Sequence, residues 1–244
     1  DAETHQPVDP SRFREYIEGK RRAYVIVAGQ HQFFPKRELD TVEYSIEDTY
    51  QGLYQELRGY MGKSRKGQPI KPTHNELTYA RYGLWHYVSK NKQKEEPYAS
   101  LHRAGANLRG LIRVLLFKRF ESSVEAFRQS VRKLLVIHER FLSAISEGFV
   151  PAGDEAQAIL YEPNQEEEQD LMDALREVSG KYKVADFDIE RLKEHINHDI
   201  WLFKKILQLV DPITAEQDAK LQKLLEIINK KPLNQGKRLI FTQY

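Results

Sequence analysis

Three short stretches hold residue types that could do chemistry. Gly62-Lys63-Ser64 has the ending of a phosphate-cradling loop, in which backbone N–H groups and a lysine hold a nucleotide's phosphates. The full pattern G-x-x-x-x-G-K-[S/T] requires a glycine at position 57, where Leu57 stands; Gly59 comes two residues late. Such a loop must also follow a strand and open a helix, so that helix N-terminal N–H groups face the phosphates. Here helix-spaced residues precede it and the loop "GKSRKGQPIKP" (62–72) follows, so a solvated basic loop accounts for it better. Asp154-Glu155-Ala156-Gln157 imitates an acidic box that holds Mg²⁺. That box needs a buried strand in front of it. "GFVPAG" precedes this one, so Asp154, with Gln157 three residues on, reads as a helix N-cap. His195 and His198, at i and i+3 beside Glu194 and Asp199, could ligate a metal. No third partner is identifiable, and a polar helix face is the simpler reading. There is no Ser-His-Asp order, paired-carboxylate context or glycine-rich dinucleotide turn.

The charge distribution says more. Between Leu101 and Arg140 stand nine basic residues, Arg103, Arg109, Arg113, Lys118, Arg119, Arg128, Arg132, Lys133 and Arg140, against Glu121, Glu125 and Glu139. Most are arginine, whose planar fork suits phosphate better than an ammonium does. From Glu147 to Asp173 there are nine acids and no base. Either the basic and acidic helices pack with charges facing or solvated, or the basic helix offers a surface to a nucleic-acid backbone. On the second reading Arg109, Arg113, Lys118, Arg119, Arg128, Arg132 and Lys133 are the contacting residues.

The elements that must position these residues are overwhelmingly helical. Helix-spaced residues run from Arg12 to about Arg22, and "AYVIV" (23–27) has a strand's composition. "ELDTVEYSI" (38–46) alternates and predicts a strand, after which Ser45 caps a helix whose apolar face is Tyr50, Leu53, Tyr54, Leu57 and Met61. Thr73 is the expected cap of a helix reaching about Ser89, rich in Tyr79, Tyr82, Trp85 and Tyr87. "KNKQKEEP" (90–97) is a charged linker. Apolar residues then recur at helix spacing from Leu108 to Ile145, which predicts one very long helix or two end to end, stopped by Gly148 and Pro151. Further helices are expected over 154–180, over Ile189–Val210 and over 214–230, before "KRLIFTQY" (237–244), which reads as a buried strand.

Composition sets the outer bounds. The chain has 244 residues, 40% of them hydrophobic, which is enough for a core, and a near-balanced net charge of +2. It has no cysteine, which excludes disulfides and thiolate metal sites and points to the cytoplasm. No apolar run approaches the roughly 18 residues that would span a bilayer.

Three stretches, in order, resemble the Swi2/Snf2-type superfamily 2 helicases, especially their bacterial RapA-like branch. "FFPKRELDTVEYSIEDTYQGLYQEL" (33–57) resembles the strand and helix after the first motor lobe's core. "NLRGLIRVLLFKRFESSVEAFRQSVRKLL" (107–135) is similar to the family's "LLKRLESS" helix between the lobes, and is the most specific of the three. "DAKLQKLLEIINKKPLNQGKRLIFTQY" (218–244) resembles the opening of the second lobe. The family's arginine run before its tyrosine-containing strand is represented only by Arg21 and Arg22.

The resemblance implies a mainly α fold: a long-helix insert (73–210) flanked by edges of two RecA-like α/β lobes, 1–72 and 211–244, which supply a few strands. It implies an ATP-dependent, DNA-stimulated translocase of which this chain is a piece, with ATP and Mg²⁺ bound elsewhere in the parent and no cofactor or catalytic residue here. The implied partners are nucleic acid, double-stranded DNA first, and the remaining lobes of the same protein, with no membrane. Two alternatives stand beside it: a non-enzymatic helical module that binds nucleic acid or protein, and a self-contained hydrolase using the Gly62 loop and Asp154.

Overall fold

The computed structural model describes residues 24–27, 30–33, 39–62, 75–161 and 168–241. The chain divides into two compact units, Asp1–Glu43 and Tyr44–Tyr244. The helix expected over 12–22, the Thr73 cap and the end of the closing strand (242–244) lie outside the described residues.

In the first unit, β1 (Tyr24–Val27) pairs antiparallel with β2 (Gln30–Phe33), with Tyr24 opposite Phe33 and Val27 opposite Gln30. The "AYVIV" strand is therefore present. The strand expected over 38–46 is not: residues 39–45 form no ladder, Leu39 is 82% exposed, and Ile46 already belongs to a helix. Alternation makes a strand only where a neighbour supplies hydrogen-bonding partners. The same holds for the described part of the closing strand, where Leu239, Ile240 and Phe241 stand exposed in irregular backbone.

The second unit is helical. Ser45 caps α1 (Ile46–Tyr50), its Oγ accepting from Asp48 N–H at 3.1 Å. The single helix expected here is broken after Tyr50 by Gln51 and Gly52, both at positive φ (48° and 89°), and resumes as α2 (Tyr54–Met61). Tyr50, Leu57 and Met61 are buried as the spacing required. The expected helix to Ser89 is instead a left-handed Tyr79 followed by two 3-10 turns, Ala80–Tyr82 and Leu84–Tyr87.

Of the two options for residues 101–147, the chain takes the second. Helix α3 (Tyr98–Ser122) and α4 (Val124–Ser146) meet at an extended Ser123, whose Oγ accepts from Ala126 N–H at 3.3 Å. Helices α5 (Asp154–Tyr161), α6 (Glu168–Ser179), α7 (Ile189–Val210) and α8 (Ala219–Ile228) follow. Helix α8 starts later than residue 214, because Thr214 N–H turns back to Gln217 Oε1 at 2.8 Å and Asp218 supplies the cap.

Helices α4 and α7 are the spine. Arg128 meets Asp211 and Lys204 meets Glu139 across them, so they run antiparallel. This pairing divides the core in two. Phe127 and Val131 pack with Leu202, Phe203 and Ile206 beside α1, α2 and the end of α3. Ile137, Phe141 and Ile145 pack with Leu192 and Ile196 beside α5 and α6. Each fully buried side chain of this size contributes about 1.5–3 kcal/mol. Among the described residues, no helix is long and apolar enough to cross a membrane.

Candidate nucleic-acid interface

The basic stretch lies on α3 and α4, and several of its arginines find partners within the fold. Arg128 is the clearest case. Its Nη2 donates to the carbonyls of Val210 and Ile213, both at 2.8 Å, the Asp211 carboxylate lies 3.2 Å from Nε, and Nη1 reaches Glu125. Only 12% of its side chain is exposed. A guanidinium at the carbonyl end of α7 satisfies orphan acceptors and complements the helix dipole. Arg132 adds a more exposed pair to Asp211 at 2.8 Å. Arg113 donates to the Gly62 carbonyl at 3.1 Å, which ends α2. These three residues thus have partners within the fold, at the end of α2 and the end of α7.

Removal of Arg128 should therefore register as lost stability. Arg128→Ala is expected to cost about 2–3 kcal/mol, because buried carbonyls lose their donor, and Arg132→Ala less than about 1 kcal/mol, as for an exposed pair. Urea unfolding followed by circular dichroism checks this; equal costs for the two would deny Arg128 its stapling role.

Of the remaining expected residues, Lys118 and Lys133 are exposed, with Lys133 Nζ 5.3 Å from the centre of the Tyr161 ring. Arg119 is half-buried. Arg109 lies on the inner side of α3 against the Leu84–Tyr87 turn, with Nη2 3.2 Å from His86 Nε2. Helix α3 reaches that turn closely: a Cβ at Gly105 would lie 2.8 Å from the Tyr82 carbonyl oxygen. Around His86 gather Arg109 and His102 from α3 and Arg191 from α7. No spacing rule joins positions 86, 102, 109 and 191, so only the fold reveals the cluster.

The other motifs resolve as structure. Gly62 is the positive-φ end of α2 (φ 80°), while Lys63 and Ser64 lie outside the described residues. Asp154 opens α5, and Gln157 takes a different task from capping: its Oε1 accepts from Arg81 Nη1 at 2.8 Å. Arg81 is fully buried, its guanidinium 4.4 Å and 5.3 Å from the Tyr82 and Tyr161 ring centres. His195 and His198 face different partners, Tyr87 Oη at 2.6 Å from His195 Nδ1 and the Glu76 carbonyl 3.0 Å from His198 Nε2. No group of three potential metal ligands occurs among the described residues.

Asp199, next to His198, organises the turn region. It accepts from Thr78 N–H at 2.6 Å, Thr78 Oγ1–H at 2.9 Å and Ala80 N–H at 3.3 Å. A side chain that captures successive backbone donors competes with a regular helix, which explains the 3-10 turns where a helix was expected.

No protein-family model, no curated protein and no solved structure matches the chain.

Proposed function

We propose that this chain is the helical insert of a Swi2/Snf2-type helicase-like translocase, bracing two motor lobes and touching nucleic acid. In this reading the sequences at either end, 1–72 and 211–244, are edges of RecA-like lobes, and ATP and Mg²⁺ bind elsewhere in a cytoplasmic parent protein. The observation that carries it is the outer face of α3, where Leu111, Val114 and Leu115 are 52%, 43% and 40% exposed and line up with exposed Lys118 at helix spacing. A stripe of large apolar residues left in water marks a surface that another body covers. It lies within the stretch that most resembles the family. Leu224, Leu225 and the run Leu239–Phe241 extend the same need for a partner to the stretch resembling the second lobe.

Two measurements test the proposal. Fluorescence anisotropy of a labelled duplex, read across a salt series, should show affinity falling with a log–log slope of about −2 to −3, as for a few neutralised phosphates. Absence of binding at low salt would remove nucleic acid from the assignment. In the full-length protein, Leu111→Glu with Leu115→Glu should lower DNA-stimulated ATP hydrolysis several-fold, while the 244-residue chain alone hydrolyses none. Unchanged turnover would remove the bracing role.

A further inference from the structure

His86 sits half-buried in the Leu84–Tyr87 turn, bonded by the guanidinium groups of Arg109 and Arg191. Arg109 from α3 places Nη2 3.2 Å from its Nε2. Because the guanidinium can only donate, Nε2 is the acceptor and the neutral ring carries its proton on Nδ1. Arg191 from α7 donates through Nη2 to the His86 carbonyl and lies 4.9 Å over the Tyr87 ring. His102, exposed on α3, packs 4.3 Å from Trp85. Burial first, then the charges of Arg109, His102 and Arg191, push the His86 imidazole down to about 4. Arg109 has a buried Nε without a hydrogen-bond partner, and burial lowers the guanidinium's own proton affinity.

The opposing charge is small. Asp188 lies 3.5 Å from Arg191 Nε and also caps α7, accepting from the Arg191 N–H. Glu190 and Glu194 sit on the exposed side of α7. His195 is buried and engaged with the Tyr87 hydroxyl. Among the described residues, two arginines and two histidines thus come together beside the Asp188 carboxylate, an arrangement that concentrates anions. Arginine forks match phosphate oxygens, and exposed His102, packed on half-buried Trp85, supplies an aromatic surface next to them.

We propose that Arg109, Arg191, His86 and His102 form a site for a phosphate group of a nucleic-acid backbone. The proposal rests on the nucleic-acid reading above and gives it a location away from the outer face of α3. A bound phosphate offsets the guanidinium charges that, after burial, hold His86 neutral, and it draws Arg109 Nη2 off Nε2, so binding lets a proton onto that nitrogen and strengthens as pH falls.

The test is nuclear magnetic resonance of the histidine ring nitrogens in the intact chain, titrated with a short DNA duplex and separately with inorganic phosphate at pH 6 and 7.5. The duplex should shift the His86 and His102 signals and raise the His86 titration midpoint. Arg191→Ala, an exposed position, should weaken duplex binding about tenfold at low salt and flatten its pH dependence. Histidines 86 and 102 both replaced by glutamine should abolish that pH dependence and leave the fold intact by circular dichroism. A duplex that binds without shifting these signals, with Arg191→Ala unchanged, overturns this site and leaves the nucleic-acid reading standing elsewhere. Inorganic phosphate shifting the signals while the duplex does not bind overturns the nucleic-acid reading and with it the proposed partner. No shift with either ligand overturns the site outright.

Discussion

Asp199→Ala should destabilise the chain by about 4 kcal/mol, since it strands buried donors that each cost about 1–3 kcal/mol when unpaired. The side chain is fully buried and holds Thr78 and Ala80 through three hydrogen bonds. Those bonds fix the turn that carries Tyr79, Tyr82 and Tyr87 into the core, so the loss propagates to packing. Asp199→Asn keeps the shape and one acceptor oxygen and should cost roughly half as much. The two variants also part company with pH. Burial raises the Asp199 carboxyl from 3.8 to about 7, against the pull of the Thr78, Ala80 and Tyr79 donors. The folded chain therefore keeps this proton where the unfolded chain has released it. The resulting stability is full below about pH 4 and lost as pH rises through about 7. The stability difference between wild type and Asp199→Asn should shrink as pH is raised from 5 to 8, measured by urea unfolding at each pH. A difference that stays constant across that range would mean the carboxyl is ionised throughout.

His138 governs the opposite limb. It is fully buried on α4, its Nδ1 bonded to the Leu134 carbonyl at 2.7 Å and its Nε2 without a partner. The ring packs edge-on against Phe203 at 5.0 Å and Tyr82 at 6.1 Å. Burial, with the charge of Arg81 behind it, pushes this imidazole down to about 3. As pH falls below the ordinary value near 6.5, the unfolded chain takes up a proton that the folded chain refuses. The stability tied to neutral His138 is present above about 6.5 and lost on the way to about 3, amounting to roughly 5 kcal/mol. His138→Leu should fill the same space between Phe203 and Tyr82 and unfold in acid at a pH at least one unit lower than wild type. An unchanged acid midpoint would place the acid sensitivity in other groups. His86 adds to this limb in the free protein, and a bound phosphate would remove its share.

Arg128 and Arg191 differ in how far the fold encloses them. Losing Arg128 costs stability because α7 ends on it, whereas Arg191, exposed and paired with Asp188 at 3.5 Å, is the position whose loss the proposed phosphate site expects to read as affinity. Two arginines that look alike in a charge count act through different free energies, and their neighbours decide which.

The sequence by itself determined the helical class and much of its punctuation. Helix α7 occupies Ile189–Val210 as periodicity placed it, Ser45 caps α1, and Gly148, at φ 91°, ends the long helical stretch. These features are local: a spacing of 3.6, a side-chain oxygen over the first N–H groups, a residue that tolerates the left-handed region. Tertiary structure decided the rest. Residues 39–45 alternate like a strand but lack a ladder partner, and 75–89 lost its helix to a carboxylate lying more than 100 residues away. The basic stretch announced its charge but not its direction, because which arginines point inward depends on where α7 ends and where the His86 turn lies. A charge pattern is a property of the chain, whereas the fold alone determines which charges are left without a partner.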